Sequence, residues 1–113
     1  MVNNGCVFCK IVKKEIPSSV VFEDDNVIVF KNIQPVAEHH YLVCPKKHVS
    51  NLLEVGSEIL DMTIAFQHVV KTMKLESGYK LVINGGKYQS VPHLHMHLLS
   101  GKLEDQDDII NNT

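Results

Sequence analysis

Val91-Pro92-His93-Leu94-His95-Met96-His97-Leu98-Leu99-Ser100 sets a histidine at every second position among large apolar residues. Strict alternation is the period of a β-strand, in which successive side chains point to opposite faces of a sheet. The stretch therefore reads as one strand, with Leu94, Met96 and Leu98 turned to a core and His93, His95 and His97 turned the other way. Same-face neighbours on a strand lie roughly 6.5–7 Å apart, close enough for adjacent imidazoles to converge on one small ligand. Such a row can coordinate a metal, can supply a nucleophile or base, or can lie on a solvated face. Three in register favour a functional site over a solvated face.

Immediately upstream runs Asn84-Gly85-Gly86-Lys87-Tyr88-Gln89-Ser90, a polar loop that delivers the chain into the histidines. Glycines let backbone amides approach an anion, and Asn84, Gln89 and Ser90 add side-chain hydrogen bonds. A phosphate cradle beside a histidine is the reading this favours.

Composition narrows the alternatives. With 44% apolar and 21% charged residues among 113, the chain reads as one soluble domain over 1–113, large enough for a core and small enough to profit from pairing with a second copy. No apolar run approaches the roughly 20 residues of a membrane span, and Met1 to Gly5 lacks the layout of a signal peptide. No membrane association is expected, and the expected location is cytoplasmic, with nuclear access open. A formal charge of −2 argues against broad binding of nucleic acid, which needs a basic face. Three cysteines are an odd count for a disulfide framework and leave metal binding or free thiols.

Along the chain, residues 1–5 read as a frayed terminus. Cys6 and Cys9 form a CxxC on a short helical segment whose apolar edge is Phe8, Ile11 and Val12 and which Pro17 ends. Val20–Glu23 and Val27–Lys31 read as a hairpin around the turn chemistry of Asp24-Asp25-Asn26. A third strand runs from His39 to Cys44 with its two histidines on opposite faces, and Cys44 reads as a small buried apolar residue. From Ser57 onward, Ile59, Met62, Thr63, Phe66, Val69, Val70 and Met73 recur at helical spacing. Ser57 is placed to cap that helix and Gly78 to end it, while His68 reads as structural or exposed. Tyr79–Ile83 forms a fourth strand and the histidine stretch a fifth. Residues 101–113 read as an acidic, mobile tail. The sum is an α+β domain, a five-stranded mainly antiparallel sheet with one long and one short helix.

The histidine-apolar run, together with Cys6-Val7-Phe8-Cys9-Lys10-Ile11, Phe30-Lys31-Asn32-Ile33-Gln34-Pro35 and His40-Tyr41-Leu42-Val43-Cys44-Pro45-Lys46-Lys47-His48, resembles the histidine triad (HIT) superfamily, nearest its nucleotide-binding branch. The resemblance implies a HIT-like fold and a dimer made by joining two sheets. It implies hydrolysis of a purine nucleotidyl substrate such as a nucleoside phosphoramidate, with AMP or GMP as product. In that pattern His95 is the nucleophile that forms a covalent nucleotidyl-histidine. His97 and Ser90 hold phosphoryl oxygens or the leaving group, and His40 and His93 complete the catalytic set. Phe8, Ile11, Phe30 and Ile33 match the base pocket and Asn32 the ribose position, where many relatives carry aspartate. Asn84, Gln89, Ser90, Val91, His95 and His97 fall to the phosphate side.

The same resemblance gives a structural zinc on Cys6, Cys9, His48 and His93, and the scheme requires no catalytic metal. Dinucleoside polyphosphate hydrolysis is an alternative that uses the same residues. A nucleotide-binding scaffold with vestigial chemistry is another, supported by Asn32 and by Tyr88, which stands where glycine is usual.

Overall fold

The computed structural model describes residues 5–103. Two helices and five strands follow in the order α1 (Val7–Val12), β1 (Val20–Glu23), β2 (Val27–Lys31), β3 (Ala37–Pro45), α2 (Glu58–Thr72), β4 (Lys80–Val82) and β5 (Met96–Leu103). All pairings are antiparallel, in the spatial order β1-β2-β3-β5-β4. The α+β expectation holds, with one difference in neighbours. β5 inserts between β3 and β4, so the last strand is central and β4 takes the edge.

Period-two patterning assigns the two faces of the sheet. Val27 and Val29 of β2, Tyr41 and Val43 of β3, and Met96 and Leu98 of β5 turn to one side, where Met62, Ala65, Phe66, Val69 and Val70 of α2 close over them. Ile28, Phe30, Leu42 and Cys44 turn to the other, under Phe8, Cys9 and Ile11 of α1. The central strands are thus covered on both faces, which is why β2 reads as a continuous apolar run. The β1–β2 hairpin follows its turn chemistry, Asp24 Oδ1 accepting the N–H groups of Asn26 and Val27 at 2.8 Å each.

Several boundaries differ from the sequence reading. The histidine strand begins only at Met96. Upstream, the Leu94 N–H donates to the Val49 carbonyl at 2.7 Å and the His93 N–H to Val91 at 2.8 Å, so these amides leave the sheet ladder. The alternation survives without the strand, because Leu94 still joins the α2-side core. At the other end β5 continues through Leu103, with Ala37 opposite Leu103. The tail assigned from 101 therefore loses its first three residues to the sheet, and the remainder, with residues 1–4, lies outside the described residues. Gly101 permits this continuation, since it holds φ 79° with the Glu38 side chain packed where a Cβ would project.

Both helices stop by a left-handed lysine. Lys14 takes φ 64° after α1 and Lys74 φ 59° after α2. The Glu15 N–H then reaches back to the Lys10 carbonyl at 2.9 Å and the Leu75 N–H to Val70 at 2.8 Å. These closures satisfy the last carbonyls upstream of Pro17 and Gly78, the residues expected to end the helices. Ser57 is already helical and makes no side-chain cap; Glu58 instead accepts the Gly56 N–H at 2.9 Å. Met73, read as core, falls at the exposed C-cap. His68 is exposed and leans on Phe22.

Candidate active site and metal centre

α1, the segment just after β3 and the turn before β5 meet, and this brings four metal-type ligands together. The ligand atoms of Cys6, Cys9, His48 and His93 all lie within 4.8 Å of one another. Individual contacts are 3.3 Å from Cys6 Sγ to His93 Nδ1, 3.2 Å from Cys9 Sγ to His48 Nδ1 and 3.5 Å from Cys9 Sγ to His93 Nδ1. In a tetrahedral zinc site, bond lengths near 2.3 Å for sulfur and 2.0 Å for nitrogen put S···N edges at about 3.5 Å. The Cys9 N–H also points at Cys6 Sγ, at 3.4 Å, which suits a thiolate at the N-cap of α1.

His93 is prepared for such a site by its far nitrogen. Nε2 lies 2.8 Å from the Pro45 carbonyl, which can only accept, so Nε2 carries the proton and Nδ1 turns its lone pair to the sulfurs. Burial is the main cause that holds the ring's proton affinity down, to a pKa of about 4. Cys44 sits nearby in the same apolar cluster, and its thiol is pushed well up, first by burial and then by Cys6 and Cys9. It behaves as the apolar residue it was read to be.

Two residues on, the chemistry changes. His95 Nδ1 lies 2.7 Å from the His93 carbonyl. Again the carbonyl can only accept, so Nδ1 is the protonated nitrogen and the lone pair sits on Nε2. The His95 ring lies between Phe8, edge-on at 5.0 Å, and His97 at 5.1 Å. Only 3% of it is exposed.

His97 is oriented from β3. The Val36 N–H donates to His40 Nδ1 at 3.1 Å, so His40 carries its proton on Nε2 and donates it to His97 Nδ1 at 2.8 Å. His97 in turn keeps its proton on Nε2. Of the two histidines on β3, His40 is the one that contacts His97. His39 lies on the other face, beside Tyr41. Burial first, and the nearby His95 second, lower the His40 pKa to about 4.

The remaining expected residues divide. Phe8, Ile11 and Phe30 are buried together beside His95. Ile33 is 94% exposed and separate from them, because the chain turns outward after Asn32. Asn32 is buried; its Oδ1 accepts the Gln34 N–H at 2.9 Å and its Nδ2 lies 3.2 Å from His40 Nε2. Gln89 was assigned a phosphate contact, yet its amide nitrogen donates to the Ser50 and Val91 carbonyls at 2.7 and 2.9 Å. It is a strap across the loop. Ser90 is exposed, Val91 and Asn84 are half-buried, and the loop between them makes one 3₁₀ turn over Gly86–Tyr88. The carbonyls of Pro45 and His93 and the N–H of Val36, which set all three tautomers, were not foreseen, since backbone groups leave no mark on residue identity.

A family model described as HIT domain matches residues 13–104. The chain belongs to the HIT domain family. It is 44% identical over 104 residues to the 14 kDa zinc-binding protein of Zea mays, covering 85% of this chain and 81% of that protein. It is 40% identical over 110 residues to adenosine 5'-monophosphoramidase HNT1 of Saccharomyces cerevisiae, covering 94% and 68%. Among solved structures, a HIT family hydrolase from Clostridium thermocellum superposes with a TM-score of 0.85 at 40% identity, over 88% of this chain and 93% of that one. Among the described residues no helix is long and apolar enough to cross a membrane.

Proposed function

We propose that this HIT protein is a hydrolase of nucleoside phosphoramidates or related purine nucleotidyl substrates, acting through a covalent nucleotidyl-His95 intermediate. The observation that carries the reading is the 2.7 Å contact of His95 Nδ1 with the His93 carbonyl, which leaves Nε2 as the nucleophilic nitrogen. The phosphoramidase activity named for the yeast relative supports the substrate class.

In the first step Nε2 of His95 attacks the α-phosphorus, and the bond from phosphorus to the leaving nitrogen breaks as that nitrogen takes a proton from solvent water. His97, with its proton on Nε2, donates to a phosphoryl oxygen. Ser90 steadies the leaving group, and backbone amides over Gln89–Val91 meet the developing charge. Water then attacks the phosphorus-histidine bond, releasing the nucleoside monophosphate and the free imidazole. Phe8, Ile11 and Phe30 wall the base pocket, a bound base covers Ile33, and Asn32 and Asn84 supply polar contacts. Positioning and electrostatics suffice for phosphoryl transfer of this kind.

Cys6, Cys9, His48 and His93 would hold one zinc ion, whose bonds staple α1 to the sheet and so fix the Phe8 wall of the pocket. A homodimer completes the proposal. β4 is one of the two edges of the described sheet, with β5 as its one partner there, and the exposed Leu81, Leu60 and Ile64 give β4 and α2 an apolar outer face.

The test is mass spectrometry after mixing the protein with an adenosine phosphoramidate. Wild type should release AMP and trap a nucleotidyl adduct on His95, and His95→Asn should do neither. Equal turnover by the two proteins would remove His95 from the chemistry.

A further inference from the structure

Three contacts from one short connection converge on His40, and a fourth orients one of them. The Asn32 N–H donates to the His40 carbonyl at 2.9 Å, and the Val36 N–H to its Nδ1 at 3.1 Å. Asn32 Oδ1 is tied to the Gln34 N–H at 2.9 Å, which turns Nδ2 to face His40 Nε2 at 3.2 Å. With its lone pair at Nδ1 taken by Val36, the neutral ring carries hydrogen on Nε2 and spends it on His97. The Asn32 amide nitrogen is itself a donor, so it offers that Nε2–H no acceptor.

We infer that Asn32 is a positioning residue that keeps His40 neutral, in the Nε2–H form that the Val36 N–H selects, and through it leaves His97 as a hydrogen-bond donor toward the site. This rests on the proposed function only for what His97 then does to substrate; the state of the His40 ring stands by itself. A carboxylate at position 32 would act oppositely. One oxygen would keep the Gln34 N–H, and the other would accept from His40 Nε2 and favour the imidazolium. It would also compete with His97 Nδ1 for the same hydrogen. The asparagine thus does more than weaken a ribose contact: it removes an anion from the head of the Val36–His40–His97 chain.

Burial and the neighbouring His95 act in the same direction, holding His40 at about 4. The groups facing the ring from the packed elements are His97 and His95 on the β5 side, the neutral Asn32, and the apolar Val36 and Leu99. On the outer side Lys31, Glu38 and His39 line the same cavity as His40. Among these Glu38 is the one carboxylate, and it is turned to the Lys102 N–H.

The decisive measurement is nitrogen-15 NMR of the imidazole rings in ring-labelled protein, with His40 assigned by His40→Gln. In wild type His40 should show the Nε2–H tautomer at pH 7 and stay neutral until well below pH 6. In Asn32→Asp the same ring should titrate about one pH unit or more higher, and the acidic limb of kcat should move up with it. A wild-type ring protonated on Nδ1, or charged at pH 7, overturns the inference, as does a folded Asn32→Asp whose His40 titration is unmoved. Should Asn32→Asp not fold, the wild-type tautomer alone decides. Should wild type show no phosphoramidase turnover, the proposed reaction fails while the ring titrations still judge Asn32.

Discussion

His93 and His95 stand two residues apart in the same run, and they are wired in opposite senses. His93 protonates Nε2 against the Pro45 carbonyl and turns Nδ1 to two sulfurs. His95 protonates Nδ1 against the carbonyl of His93 itself and keeps its lone pair on Nε2. The first wiring suits the proposed zinc ligand and the second the proposed nucleophile. The residue type is the same, so the difference lies in which nitrogen meets a carbonyl, and that is settled by the turn that precedes β5. The reversal sets the proposed zinc centre apart from the proposed nucleophile within a single stretch of chain, and it predicts that the two can be lost independently.

The largest expected effect is on chemistry alone. His95→Asn should lower turnover by about 10³-fold or more while leaving zinc content and thermal midpoint near wild type. Loss of zinc in that variant would show that the two centres are one.

The reciprocal break comes next. Wild type purified without chelator should carry about one zinc per chain, and Cys9→Ser should abolish it and cost roughly 2–4 kcal/mol of stability, seen as a fall of about 10 °C or more in Tm. Turnover per folded molecule should then fall only several-fold, through loosening of the Phe8 wall. A folded, zinc-free protein without activity would make the metal part of the reaction.

How far this division could be read from residue order differs between its halves. The CxxC on a short helix, the two β1–β2 strands and the amphipathic α2 follow from periodicity and turn chemistry, and they stand as expected, apart from the missing Ser57 cap, the exposed Met73 and helix ends closed by lysine. The grouping of Cys6, Cys9, His48 and His93, and of His40 with His97, was expected from the family resemblance rather than from periodicity. What could not be read is the wiring. The histidine stretch looked like continuous strand because alternation persists after the backbone leaves the ladder for Val49 and Val91. Ile33 stands apart from the buried Phe8, Ile11 and Phe30, and an apolar residue beside Asn32 gives no sign that the chain turns outward there.

Acid sharpens the comparison on the His40 side. His40 has a folded pKa lowered to about 4 from the ordinary 6.5, so between these values the unfolded chain binds a proton that the folded protein does not. The stability linked to this ring is complete above about pH 6.5 and is lost progressively as pH falls toward 4. Denaturant midpoints at pH 7 and pH 5 should therefore fall further apart in wild type than in His40→Gln. The excess should be about 1 kcal/mol, after discounting for solvent screening. An equal fall in both proteins would place the acid sensitivity elsewhere.

The smallest effect concerns what holds α1 besides the metal ligands. Glu23 on β1 accepts from Lys14, just past the end of α1, at 2.6 Å and from Lys46, just past β3, at 2.8 Å. Those two cations, Lys14 first, hold its carboxyl below the usual range, so its contribution is present above about pH 4.5 and fades as pH falls through the lowered value. All three side chains are partly open to water, and exposed pairs of this kind are worth under about 1 kcal/mol and are screened by salt. Glu23→Gln should accordingly shift the denaturation midpoint slightly, less so at high salt, with zinc content and turnover unchanged. The prediction discriminates because the ion pairs and the Cys6–Cys9 knuckle grip the same short helix from opposite ends. A Glu23→Gln protein that sheds its zinc would mean that surface charge seats the knuckle and the metal merely follows. Retained zinc with a small, salt-dependent loss would mean that the thiols and imidazoles hold α1 on their own.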